Sequence, residues 1–144
     1  MNMVKIQTLC GLLGISFSFI FGAWTPLLAV LVVMTSLDII TGISKGFYNK
    51  KLRSRKMSQG MTRKAMIGVV IILANMLDIV LFAGVPVAKT GTLFFYIAME
   101  GLSIIENLAQ MNVPLPTFIK KYLLVLKQKG ENPNEINNEK LNIK

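Results

Sequence analysis

Four of the seven acidic residues, Asp38, Asp78, Glu100 and Glu106, stand inside strongly apolar stretches of the chain. A carboxylate in such surroundings can relay a proton, bind a metal, pair with a cation or line a water path, and each role asks for particular company. Histidine is absent, which removes the commonest metal ligand and general base. Cys10 is the single cysteine, so an internal disulfide is excluded and the residue reads as a small apolar filler. No Gly-rich phosphate loop, Ser/His/Asp set or metal-ligand cluster can be assembled from what remains. The expectation is a protein that is not an enzyme, with no catalytic residue, no metal and no cofactor. The acids are then polar groups kept for packing or for water.

Their spacing supports that reading. Tyr96, Glu100, Ser103, Asn107 and Gln110 recur at intervals of four, three, four and three, one stripe of a helix, and Glu106 borders it. Asn75 and Asp78 share a second stripe with Gly68. Asp38 and Gly42 share a third with Thr35 and Lys45, and Thr41 lies beside them. Gly14, Ser18 and Gly22 form a ridge of small residues that lets helices approach closely. An ionised acid at the centre of a span costs about 2.5–3.5 kcal/mol. These acids must therefore be paired, protonated, near an interface, or turned toward water or another helix. The stripes read equally as the glue of one helical bundle and as faces that meet neighbouring copies.

The elements that must carry them are membrane spans. The chain is 53% apolar and still holds 16 Lys and Arg, which is possible because the two are segregated. Residues 6–37 carry no charge, a run too long for one buried core helix when a span needs about 20 residues. Gly22, Trp24 and Pro26 divide the run, since glycine permits a turn, tryptophan suits the membrane interface and proline opens a helix. The segment lacks a small-x-small cleavage site and reads as a retained span rather than a signal peptide. Four spans are expected near residues 6–22, 26–43, 65–83 and 92–111, with a basic loop at 44–64. Together they make a membrane domain over residues 1–116. Residues 117–144 supply a basic amphipathic helix lying on the membrane surface, then a disordered polar tail. The fold class is an all-α integral membrane protein, and three spans remain open if the first segment lies flat.

Charge orients the bundle. Lys45, Lys50, Lys51, Arg53, Arg55, Lys56, Arg63 and Lys64 crowd the 44–64 segment without a single acid. The positive-inside rule places that segment, and with four spans both termini, in the cytoplasm. These residues read as topology determinants attracted to lipid headgroups, and not as a nucleic-acid site, because no binding motif surrounds them. Counting about 1.5 Å per residue puts Asp78 about 21 Å beyond Lys64 and Glu100 about 12 Å into its span, so an Asp78–Glu100 contact is expected. Asp38 is expected within reach of Lys45 or of the end of the loop.

The order Asp38-Ile39-Ile40-Thr41-Gly42, Leu52-x-Ser54, Gly60-x-x-Arg63-Lys64, Asp78, Glu100-Gly101-Leu102-Ser103-Ile104-Ile105-Glu106-Asn107-Leu108 and Val113-Pro114-Leu115-Pro116 resembles the toxin-secretion/phage-lysis holin family of Gram-positive bacteria and their phages. The likeness covers roughly residues 30–120. It departs from the family where Arg53 and Arg55 flank Ser54. The resemblance implies a homo-oligomer in the bacterial cytoplasmic membrane whose timed lesions release an endolysin, or a toxin, with the endolysin a functional partner only. It also admits an antiholin, which restrains a holin by co-assembly. From other classes, a small ion channel or transporter subunit predicts steady selective flux, and a membrane anchor predicts no permeability change.

Overall fold

Lysine, arginine and the aliphatic residues that fill this chain are good helix formers, and few prolines interrupt them. The computed structural model describes residues 3–50 and 54–132, and these form five helices. They are α1 (Met3–Phe21), α2 (Pro26–Tyr48), α3 (Ser54–Leu81), α4 (Val87–Ala109) and α5 (Thr117–Glu131). The architecture is all-α, and four helical segments are long and apolar enough to cross a membrane: Met3–Phe21, Pro26–Tyr48, Met57–Leu81 and Val87–Ala109.

Two boundaries differ from expectation. Much of the basic segment 44–64 is helix and not loop: Lys45 belongs to α2, while Arg55, Lys56, Arg63 and Lys64 belong to the first turns of α3. Charge bars a side chain from hydrocarbon but not from a helix, and Gly60 alone costs only about 1 kcal/mol there. The fourth span begins at Val87 instead of 92, because Pro86 closes the turn and proline is tolerated at a helix start. Lys89, which falls between the expected third and fourth spans, therefore sits in the first turn of α4 and is 3% exposed. Lys51, Arg53 and the 133–144 tail lie outside the described residues.

The turns follow local rules. Thr25 caps α2 by accepting from the Leu28 N–H at 3.3 Å, and Pro26 occupies the first turn. At the end of α3 the Phe82 and Gly84 N–H groups both donate to the Asp78 carbonyl, with Gly84 at φ +84°. This is a left-handed cap of the kind that glycine supplies.

α4 is the hub. It packs against α2, α3 and α5, and its buried residues include Gly91, Leu93, Ile97, Ala98 and Gly101. The apolar core joins Leu28 and Leu31 of α2, Ile71 of α3 and Leu93 and Ile97 of α4, with Leu126 of α5 packed against it. α1 is the opposite case: none of its residues is buried, and it meets α3 near its C-terminal end. The single apolar face expected of α5 is divided, with Ile119, Leu123 and Leu126 half-buried while Phe118 and Tyr122 point outward.

Candidate functional site

Lipid tails are as apolar as leucine, so apolar side chains alone give spans little reason to associate, and polar contacts between helices matter more. The polar residues of α2, α3 and α4 meet in one network. Asp38 stands midway along α2, Glu100 just past the middle of α4, and Lys64 in the basic first half of α3. Counted at about 1.5 Å per residue, all three fall about 18–26 Å from the same end of the bundle. Lys64 Nζ lies 2.7 Å from Asp38 Oδ2 and also pairs with Glu100 Oε2. Two turns beyond Glu100, Asn107 donates to Asp38 Oδ1 at 2.9 Å and to Thr41 Oγ1 at 3.2 Å. Lys45 Nζ in turn donates to Asn107 Oδ1 at 2.5 Å. Gly42 lies beside this crossing, where an added Cβ would make an ordinary van der Waals contact, 3.7 Å from the Asn107 amide.

Two acids and two lysines balance the network in formal charge. Asp38, Glu100 and Asn107 are buried, and among the described residues no buried side-chain nitrogen or oxygen lacks a partner. Every contact in it crosses from one helix to another, save the Thr41 hydroxyl's bond to the Asp38 carbonyl. Pulling α3 away from α2 and α4 would leave two carboxylates without their cation.

A second polar group lies at the other end. Asp78 does not meet Glu100: it stands in the last turn of α3, whereas Glu100 lies beyond the midpoint of α4, several turns from that end. The earlier start of α4 lowers Glu100 by a turn and more, which removes the expected contact. Asp78 instead accepts from the N–H groups of Ala88 (2.6 Å) and Lys89 (2.8 Å), capping the positive end of the α4 dipole. Asn75 donates to the carbonyls of Phe19 and Ile20, both at 3.1 Å, and Lys89 Nζ donates to that of Ala23 at 3.0 Å. These bonds satisfy two of the orphan carbonyls at the end of α1 and one in the turn that follows it.

Gly22 belongs to this clamp and not to a packing ridge. It lies just past α1 at φ +71°, and a Cβ there would run into Asn75 Oδ1 and Lys89 Nζ. Gly14 and Ser18 are exposed, with nothing within 4 Å of a Cβ built at Gly14. Tyr96 and Ser103 are half-buried, and Tyr96 lines a cavity of about 310 Å³ together with Phe95 and Gly130. Glu106 and Gln110 are exposed, outside both groups. Lys50, Arg55 and Arg63 are exposed around the α2–α3 end.

Residue type and spacing flag Asp38, Thr41, Glu100 and Asn107, and the structure brings them together. Lys64, at the end of the basic segment, reaches Asp38, whereas Lys45 reaches Asn107 instead. In the sequence both lysines read as topology signals, and nothing there joins Lys64 to Glu100 or singles out Lys89. The available signal is the place of Lys64 as the last charge before the long apolar run of α3. Among the described residues no group of His, Cys, Asp and Glu could hold a metal ion.

The family model described as the bacteriophage holin family matches residues 15–128, from the middle of α1 almost to the end of α5. The chain belongs to the bacteriophage holin family. A "probable holin" of Bacillus phage phi105 is 38% identical over 123 residues, covering 85% of this chain and 90% of that protein. An uncharacterised protein of Clostridium perfringens strain 13 is 42% identical over 118 residues, covering 82% and 87%. Another from Bacillus subtilis strain 168 is 42% identical over 113 residues, covering 78% and 79%. No solved structure matches the chain significantly. With its four candidate spans, this holin-family chain is a multi-pass membrane protein whose solvent is the lipid bilayer, and the family is not an enzyme family.

Proposed function

We propose that copies of this chain accumulate in the bacterial cytoplasmic membrane, associate, and at a set density open lesions through which an endolysin, or a toxin, leaves the cell. Host lysis follows when the endolysin reaches the wall. The observation that carries this reading is the neutral Asp38–Lys64–Glu100 group, with Asn107 and Lys45, buried among three helices of a holin-family chain. Intact, the group lets charged residues sit quietly inside a span. Separated in a dry membrane it is costly, because removing a partner from a buried pair costs about 3–5 kcal/mol. Separated in water it costs little. Its opening is therefore cooperative with the entry of water, and a closed harmless state and an open hydrated one follow from the same residues. Once some assemblies open, collapse of the membrane potential biases the rest, at about 2.3 kcal/mol per charge for each 100 mV.

The α2–α3 end, with Lys45, Lys50, Arg55 and Arg63, faces the cytoplasm by the positive-inside rule, and the start of α1 and the end of α4 lie on that side with it. Exposed Gly14 and Ser18 offer α1 to neighbouring copies.

The test is to induce the protein in a bacterium with and without an endolysin lacking its own export signal, following membrane potential and viable count. Abrupt depolarisation after a reproducible delay, with lysis only when the endolysin is present, is the expected result. Depolarisation without endolysin release assigns the chain to small-pore holins or ion-conducting channels. Cells that stay energised with the protein in the membrane assign it to antiholins or anchors.

A further inference from the structure

Helix α5 carries two apolar strips, and among the described residues only one of them packs against another helix. Ile119, Leu123, Leu126 and Gly130, spaced four, three and four, turn toward α4. The fit is close: a Cβ on Gly101 would stand 2.7 Å from a Leu123 methyl, and one on Gly130 would stand 2.7 Å from the Gly91 carbonyl oxygen. The second strip, Phe118, Tyr122 and Val125, is spaced four and three and faces away. Tyr122 is 70% exposed, and its ring meets Phe118 edge-on with centroids 6.2 Å apart. Lys120 and Lys121 are exposed on the same helix, which holds four lysines against the single acid Glu131.

At 15 residues, α5 is about 22 Å long, too short to cross about 30 Å of hydrocarbon. Yet in this structure it runs antiparallel along α4, a candidate span, with Gly130 beside Gly91 and Leu123 beside Gly101. Held there in a bilayer, its lysines would lie at the depth of the hydrocarbon. An apolar strip beside lysines suits the plane of a membrane interface, where the rings enter the acyl boundary and the ammonium groups meet anionic phosphates. The segment from Val113 through Pro114 and Leu115 to Pro116 leaves α4 without a continuous helix and can serve as the pivot.

We propose that the Phe118–Tyr122–Val125 face of α5, with Lys120 and Lys121, is a docking surface for the anionic phospholipid headgroups of the bilayer, reached when α5 swings from α4 into the membrane plane. The α4-docked position and the lipid-docked position are alternatives, so the lipid composition of the leaflet sets which face of α4 is open to other helices. This proposal does not depend on lesion formation.

The test uses the full chain carrying Cys10→Ser and Val125→Cys, labelled at position 125 with an environment-sensitive dye. It is reconstituted in phosphatidylcholine vesicles with and without phosphatidylglycerol. The expected result is blue-shifted emission and protection from the neutral quencher acrylamide only with phosphatidylglycerol. Lys120→Glu with Lys121→Glu abolishes the protection, since the two lysines together carry at least about a thirtyfold bias. Lys120→Arg with Lys121→Arg retains it, and carbonate-resistant insertion of all variants separates lost docking from lost folding. Equal protection in both vesicle types overturns the proposal, as does protection that survives charge reversal. Protection that rises with the protein-to-lipid ratio overturns it in favour of a second copy covering the strip.

Discussion

The two polar groups of this protein solve the same problem in different ways. Around Lys64, side chains of α2, α3 and α4 pair with one another across helices. Around Asp78, side chains pair with backbone: Asp78 with the first N–H groups of α4, Asn75 and Lys89 with the last carbonyls of α1 and its turn. Backbone partners at a helix end exist as long as the helices do, so the Asp78 group is part of the turn architecture. The Lys64 group exists only while three helices stay together, and nothing but water could replace its contacts. The opening proposed above, in which the bundle parts at the level of Lys64 and holds at the level of Asp78, draws on both kinds of bond.

The sharpest way to break this comparison is Lys64→Met. It strands Asp38 and Glu100 and should destabilise the closed bundle by about 3–5 kcal/mol, seen as an earlier onset of depolarisation after induction and a lower unfolding midpoint in detergent. Adding Asp38→Asn and Glu100→Gln to the same chain should restore most of the midpoint, because a neutral replacement of a whole buried group is often tolerated. Asp78→Ala comes next. It leaves two N–H groups of α4 unsatisfied and should lower the midpoint by about 1–3 kcal/mol without restoration by any change at Lys64. If Asp78→Ala were restored by a change at Lys64, the two groups would be one unit and the division would fail. Gly22→Ala imposes a left-handed conformation on a residue with a Cβ, at about 1–2 kcal/mol, and presses that Cβ on Asn75 and Lys89, so it should lower the midpoint by at least that much, measured the same way. Glu106→Gln is expected within about 0.5 kcal/mol of the native midpoint, since this acid is exposed in the folded chain.

How far the sequence discloses this arrangement depends on the range of the interaction. The all-α class and the four candidate spans follow from segregated charge and need no tertiary information. The stripe containing Glu100 and Asn107 follows from helical spacing. What spacing cannot supply is relative height between helices, because that depends on where each one starts. Moving the start of α4 from 92 to Val87 separates Glu100 from Asp78 and brings it level with Lys64. Lys45, Lys64 and Lys89 fall inside helices for a related reason: charge marks a segment as unsuited to lipid, but it does not say whether a helix ends there. Gly22 is legible as a break before α2, yet only the meeting of two turns makes it a contact point for Asn75 and Lys89.

The loose attachment of α1 has a mechanical consequence. α3 is 28 residues long, about 42 Å, and its basic first turns can project beyond a hydrocarbon layer of about 30 Å. α1 has 19 residues, about 28 Å, and is secured to its neighbours through its last turn and the turn that follows. When bilayer thickness changes, α2, α3 and α4 must tilt together, since their shared polar contacts fix their heights. α1 can lean by itself about its tethered end. The protein therefore meets hydrophobic mismatch with two independent angles, and a thinner or thicker membrane changes the splay between α1 and the bundle before it disturbs any buried charge.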